Sequence, residues 1–217
     1  MNKKTLIYVC VTNMGNICNK LAETLVKYAK HPHYDVRFFF PAIVPLDASR
    51  NTCVENFMKI SNSEDDRLLF IDDDMTVPEN GLDVLVGHDK DICGLLCFMI
   101  KPNDNGLMVP LPVACKYNED KKYIVYFDGE GLTEVDALGG ACIMIKRKVF
   151  EEIGTKAYEY KYYANGTLCL VADYHFCQKA QAKGFKIWVD FNNTCGHIKE
   201  IDLREINRTM VNINNGK

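Results

Sequence analysis

The stretch "RLLFIDDDMTVP", residues 67 to 78, runs from an apolar segment straight into three consecutive aspartates. Leu68 to Ile71 have the continuous apolar character of a strand covered on both faces, and the acids follow at its carboxyl end. Neighbouring carboxylates oppose one another's ionisation, so such a cluster needs water, a positive group or a metal ion beside it. In an open parallel sheet, ligands bind beyond the carboxyl ends of the strands. If the backbone stays extended, Asp72 and Asp74 project to one side and Asp73 to the other. Two carboxylates on one side suit Mn²⁺ or Mg²⁺, hard cations that take oxygen ligands and bring phosphate oxygens with them.

Around this stretch, strand patterns and amphipathic helices alternate. "TLIYVCV" (5–11), "VRFFF" (36–40), "RLLFI" (67–71) and "DICGLLCFM" (91–99) read as strands. "ICNKLAETLVKYAK" (17–30), "ASRNTCVENFMKI" (48–60) and a short segment from Pro78 to Val86 read as helices. From Lys101 to Glu134 the pattern breaks into a proline-containing excursion with a hairpin candidate, "VACKYNEDKKYIVYF" (113–127). "ACIMIKR" and "KIWVD" return as strands, "VFEEIG" and "DYHFCQKAQAKG" as helices, and "REINRTMVNI" as a terminal helix. Strands separated by helices imply an α/β class with a mostly parallel central sheet flanked by helices.

The chain has 217 residues, 47% hydrophobic and 25% charged, which is enough for one well-buried domain and too little for two large ones. Its net charge is −3 with basic residues scattered, which weighs against a duplex nucleic-acid binder. The apolar run Leu6 to Val11 is too short for a signal peptide, and no integral membrane segment is expected. Ten cysteines lie mostly in apolar runs without paired C-x-x-C spacing, the pattern of buried reduced thiols in a cytoplasmic protein. Cys195 and His197 could share a metal, but two ligands do not make a structural zinc site.

Several motifs compete for the aspartates. An EF-hand loop needs glycine at its sixth position and glutamate at its twelfth, where Val77 and Asp83 stand. A Walker B aspartate needs a P-loop, and no G-x-x-x-x-G-K-[ST] occurs. "FIDDDMTV" also resembles the nucleophile motif of haloacid-dehalogenase-type phosphatases, which would make Asp72 attack phosphorus, although two strand and helix units precede it here.

Three further stretches, in order, resemble the nucleotide-sugar glycosyltransferases of the GT-A fold, in particular glycosyltransferase family 2. "LDASRNTCVENFM" is similar to their A-R-N helix. "LGGACIMIKRKVFEEIG" is similar to the glycine-rich strand and helix behind the acceptor site. "VADYHFCQKAQAKGFKIWVDFNNTCGHI" is similar to their catalytic helix, following strand and closing histidine. With the D-x-D these cover residues 47 to 78 and 136 to 198. The resemblance implies a single Rossmann-like GT-A domain: a nucleotide-binding half (1–100), an acceptor and catalytic half (101–198), and a C-terminal helix and tail (199–217). It implies transfer of a sugar from a nucleotide donor, in particular a UDP-sugar, to an acceptor hydroxyl with inversion. The acceptor stays open between glycan, lipid-linked, protein and nucleic acid.

Residue by residue, the resemblance places the metal on Asp74 and Asp72 with His197 as third ligand, and Asp73 against the donor ribose. Asp173 falls at the position of the general base, although Ala172 precedes it where the family has an acid. An aspartate in the first turn of a helix is also explained by the helix dipole alone. A non-catalytic nucleotide-sugar-binding module is the reading that Ala172 leaves open. Arg50 would lie near the donor nucleotide, where a guanidinium can clamp phosphate, or be an ordinary surface residue. Thr12 and Asn13, after the first strand, would lie near the base, or simply form a turn. Gly139 and Gly140 would let backbone approach the ligand, and Asp136 would reach sugar or acceptor hydroxyls. Trp188 reads as a packing residue.

Overall fold

The computed structural model describes residues 4–12, 16–42, 45–103, 105–199, 202–204, 207, 210 and 211. Asn13 and much of the expected terminal helix fall outside these residues. In chain order the first half comprises β1 (Leu6–Thr12), α1 (Asn19–Ala29), β2 (Asp35–Phe39), α2 (Leu46–Ile60), β3 (Arg67–Asp72), β4 (Met75–Thr76), α3 (Gly81–Gly87) and β5 (Ile92–Leu96). Two hairpin pairs follow, β6 (Phe98–Pro102) with β7 (Met108–Pro112), and β8 (Ala114–Tyr117) with β9 (Tyr123–Val125). Then come β10 (Leu132–Val135), β11 (Ala137–Leu138), β12 (Cys142–Lys146), α4 (Arg147–Ile153), β13 (Lys161–Tyr162) and β14 (Leu168–Leu170). The last elements are α5 (Ala172–Ala182), β15 (Ile187–Thr194) and β16 (Gly196–His197).

Seven strands form the central sheet in the order β10-β15-β5-β12-β3-β1-β2. β1, β2, β3, β5 and β15 run one way; β12 is antiparallel to both β3 and β5, and β10 is antiparallel to β15. All seven residues of β1 and the first five of β3 are buried, as expected of strands covered on both faces. Each fully buried Leu, Ile or Phe in these strands contributes about 1.5–3 kcal/mol relative to exposure. α1 buries Leu21, Thr24, Leu25 and Tyr28, one stripe at helical spacing. α2 buries Ser49, Arg50, Cys53, Val54 and Phe57, and so carries an arginine into the core.

The segment 91–99 is not one strand. β5 ends at Leu96, and the chain leaves the main sheet after Cys97 to form β6 in a separate hairpin. Val113 and Cys195 explain the break: their N–H groups donate to the carbonyls of Cys97 and Leu96 at 3.0 and 2.8 Å, fixing the exit. Gly94 permits a close crossing there, since a Cβ would stand 2.5 Å from Leu138 Cδ2 and 2.7 Å from the Cys142 carbonyl. All ten cysteines are free thiols and eight are buried. No helix among the described residues is long and apolar enough to cross a membrane.

Candidate functional site

The ends of β1 and β3 meet the start of β12 at one end of the central sheet. The register pairs Thr12 with Asp72, so β1 and β3 finish side by side, and the Asp72 N–H donates to the Ala141 carbonyl at 3.0 Å as β12 begins. A cleft of about 420 Å³ opens there, in the size range of small-molecule sites. Its walls include Asp72, Gly139, Gly140, Asp173, Tyr174 and His197, drawn from remote parts of the sequence.

The aspartates do not share one face. β3 ends at Asp72, and the next two residues form a turn. The Asp73 carbonyl accepts from the Cys18 N–H at 3.0 Å, and the Asp74 carbonyl accepts from the Ile198 N–H at 2.8 Å, which draws the backbone off the strand line. The alternation expected for an extended backbone therefore fails. Asp72 Oδ1 accepts from Thr12 Oγ1 at 2.7 Å and from Arg50 Nη2 at 3.4 Å. Asp74 Oδ2 instead meets His197 Nε2 at 3.0 Å and the Lys199 ammonium. Burial pushes the Asp74 carboxyl up, but the Lys199 hydrogen bond and the nearby His197 outweigh it and hold the group below the usual carboxylate range.

His197 reaches this place because β15 carries the chain to the sheet edge and β16 pairs with β4, setting His197 opposite Met75. Its Nδ1 lies 2.6 Å from the Phe98 carbonyl. A proton on Nδ1 would leave the Nε2 lone pair facing the Asp74 carboxylate, an arrangement that a cation between them would relieve. Cys195 lies buried two residues earlier and is not part of this group.

Arg50 is not a surface residue: it is 1% exposed and does not line the cleft. Its guanidinium lies between the carboxylates of Asp72 and Asp173, with the rings of Phe70 and Tyr158 5.6 and 5.5 Å away. Asp173 Oδ2 also accepts from the Gly140 N–H at 3.0 Å, so the carboxylate faces Gly140 and Arg50 rather than capping its own helix. A Cβ on Gly140 would stand 2.1 Å from Arg50 Nη1, which is why this position takes glycine. Gly139 donates its N–H to the Val113 carbonyl at 3.0 Å. Asp136 accepts from the Tyr117 N–H at 2.7 Å, and Trp188 has Lys90 over its ring at 4.4 Å; neither lines the cleft.

Sequence reasoning missed Lys199 and Lys101. Lys101 lines the cleft from β6, and Lys199, just past the end of β16, reaches Asp74. Among the described residues no three His, Cys, Asp or Glu side chains converge as a closed cation cage. Asp74, which does not itself line the cleft, and His197, which does, offer an oxygen and a nitrogen side by side, a partial set that suits Mn²⁺ or Mg²⁺ completed by water and phosphate oxygens.

No protein-family model and no curated protein matches the chain. Solved structures do. A197 from STIV is 15% identical with a TM-score of 0.55, over 91% of this chain and 86% of that one. GalNAc-T7, crystallised with UDP, GalNAc and Mn²⁺, is 14% identical with a TM-score of 0.53; 97% of this chain matches 48% of it, so this chain spans about half its length. A 4-diphosphocytidyl-2C-methyl-D-erythritol synthase is 8% identical with a TM-score of 0.51, over 98% of this chain and all of that one. At these identities the likeness concerns the fold alone, and the chain has a GT-A-like Rossmann fold.

Proposed function

We propose that the protein is a metal-dependent glycosyltransferase that moves a sugar from a nucleotide donor, a UDP-sugar, to an acceptor hydroxyl. The observation that carries this reading is the cleft at the ends of β1 and β3, with His197 and Asp173 in its wall and Asp74 held against His197. Asp74 and His197 would hold the cation, which would supply positive charge to the departing diphosphate. Lys101, in the cleft wall, and Lys199, on Asp74, would add positive charge for the phosphates.

Asp173 takes the proton of the acceptor hydroxyl as that oxygen attacks the anomeric carbon and the bond to the diphosphate oxygen breaks, giving inversion. Arg50, at Oδ1, and the Gly140 amide, at Oδ2, fix the carboxylate in place, and Oδ2 keeps a lone pair for the incoming proton. Asp72, tied to Thr12 and Arg50, positions this assembly rather than binding the cation, and Asp73 faces the donor ribose. The same ties weigh against Asp72 as a phosphatase nucleophile, since its Oδ1 already accepts two hydrogen bonds.

The test is a titration of UDP, with and without Mn²⁺, on the wild-type chain and on Asp74→Ala. Binding that needs Mn²⁺ and weakens at least about tenfold in the variant supports the reading. No binding of UDP or GDP under either condition would overturn it.

A further inference from the structure

A second cavity, of about 460 Å³, adjoins the catalytic cleft and shares Val171 and Tyr174 with it. Val171 caps α5 and Tyr174 lies in its first turn, on either side of Asp173, so the second cavity lies next to the proposed base. Lys121 and Lys122 reach the cavity from the β8–β9 turn and Lys161 from the β13–β14 hairpin. No carboxylate lines it.

The three lysines differ from others nearby. Lys179 and Lys186 are each paired, with Glu159 and Glu134. Lys121, Lys122 and Lys161 make no ion pair with any described residue. Lys121 has φ of 59°, a left-handed conformation that lysine seldom adopts. Asn118 fixes that turn, its carbonyl accepting from the Lys121 N–H at 3.0 Å and its side chain from the Lys122 N–H at 2.9 Å. Two hairpins distant in sequence thus bring like charges to one space, an arrangement that an anion would relieve.

The remaining walls carry three tyrosines among Leu168, Cys169, Leu170, Val171 and Gln178. Tyr123 and Tyr174 lie 5.1 Å apart between ring centroids, and Tyr163 is 59% exposed at the rim. Tyrosine offers an apolar ring face with a polar tip, which matches the C–H face and hydroxyls of a sugar.

We propose that this cavity is the acceptor subsite and that it takes a saccharide bearing an oxyanion, whether carboxylate, sulfate ester or phosphate ester. The lysines hold the charged group and the tyrosines hold the ring, which delivers a neighbouring hydroxyl toward Asp173. This assignment rests on the glycosyltransferase reading above.

The experiment is a ligand-observed NMR titration of the full chain with glucuronic acid, glucose 6-sulfate, glucose 6-phosphate and glucose, with UDP and Mn²⁺ titrated in parallel. The same series is run on Lys121→Ala/Lys122→Ala and on Lys161→Ala, exposed positions whose loss leaves the fold intact. At least one anionic sugar should bind about tenfold tighter than glucose, and the identity of the best one names the oxyanion. That advantage should shrink between about 20 and 300 mM salt and vanish in the double variant, while UDP affinity stays unchanged. Equal binding of glucose, an anion preference that survives loss of the lysines, or no sugar binding at tens of millimolar would each overturn the proposal. Lysine-dependent anion binding in a chain that takes no UDP would overturn the acceptor role and the transferase reading together, leaving only an anion site.

Discussion

Arg50 is the residue on which the site depends most. Itself closed to water, it holds two half-buried carboxylates, so its removal leaves like charges facing each other with no cation between them. Arg50→Met should lower stability by about 3 kcal/mol, read as a drop in the denaturant midpoint at unchanged m-value. Gly140→Ala should displace the same guanidinium by the clash of its new methyl, costing about 1–3 kcal/mol and most of any transfer activity. Asp72 was legible from the residues alone, because an apolar strand running into it announces itself within one short window, while Arg50, Gly140 and Asp173 were named only through the family resemblance. The pairing of Arg50 with Asp173 was not legible, since nothing periodic ties residue 50 to residue 173. A separate carboxylate allows a pH test. Burial pushes Asp190 up, but hydrogen bonds from His88, Asn193 and the Asn192 amide prevail and hold it below the usual range. Its contribution is therefore present above an unfolded value of about 4 and is lost as pH falls through the lower folded value. Asp190→Asn should cost about 2 kcal/mol at pH 7 and flatten the loss of stability on acidification, measured as urea midpoints from pH 7 to 3.

At the scale of elements, apolar periodicity located the helices and the main strands, and the hairpin expected in residues 113–127 is β8–β9. It failed where long-range hydrogen bonds decide the outcome. The run 91–99 breaks because Val113 and Cys195 claim its carbonyls, and the acidic turn bends because Cys18 and Ile198 claim the carbonyls of Asp73 and Asp74. The two-residue pairing of β4 with β16 carries no local signal at all, yet it brings His197 to Asp74. Gly196 lies against Thr76 in that pairing, where a Cβ would stand 2.3 Å from Thr76 Oγ1. Gly196→Val should loosen β16 and weaken Mn²⁺-dependent UDP binding about tenfold, with little change in melting temperature. Titration calorimetry beside a melting curve separates the two effects.

Across the whole molecule, eight of ten thiols are buried and only Cys18 and Cys169 are partly accessible. A thiol-reactive dye should therefore label two sites quickly in the native protein and all ten after unfolding, and faster labelling of a third would show a core that opens locally. The order of the central sheet has a consequence in time as well as in space. β12 lies between β3 and β5 but is made long after both. Until residue 146 leaves the ribosome, the nascent chain presents two apolar strands with open edges and no neighbour to close them. Chaperone capture should accordingly peak on ribosome-bound chains stalled near residue 100 and fall once β12 has emerged, which selective profiling of stalled translation complexes can follow.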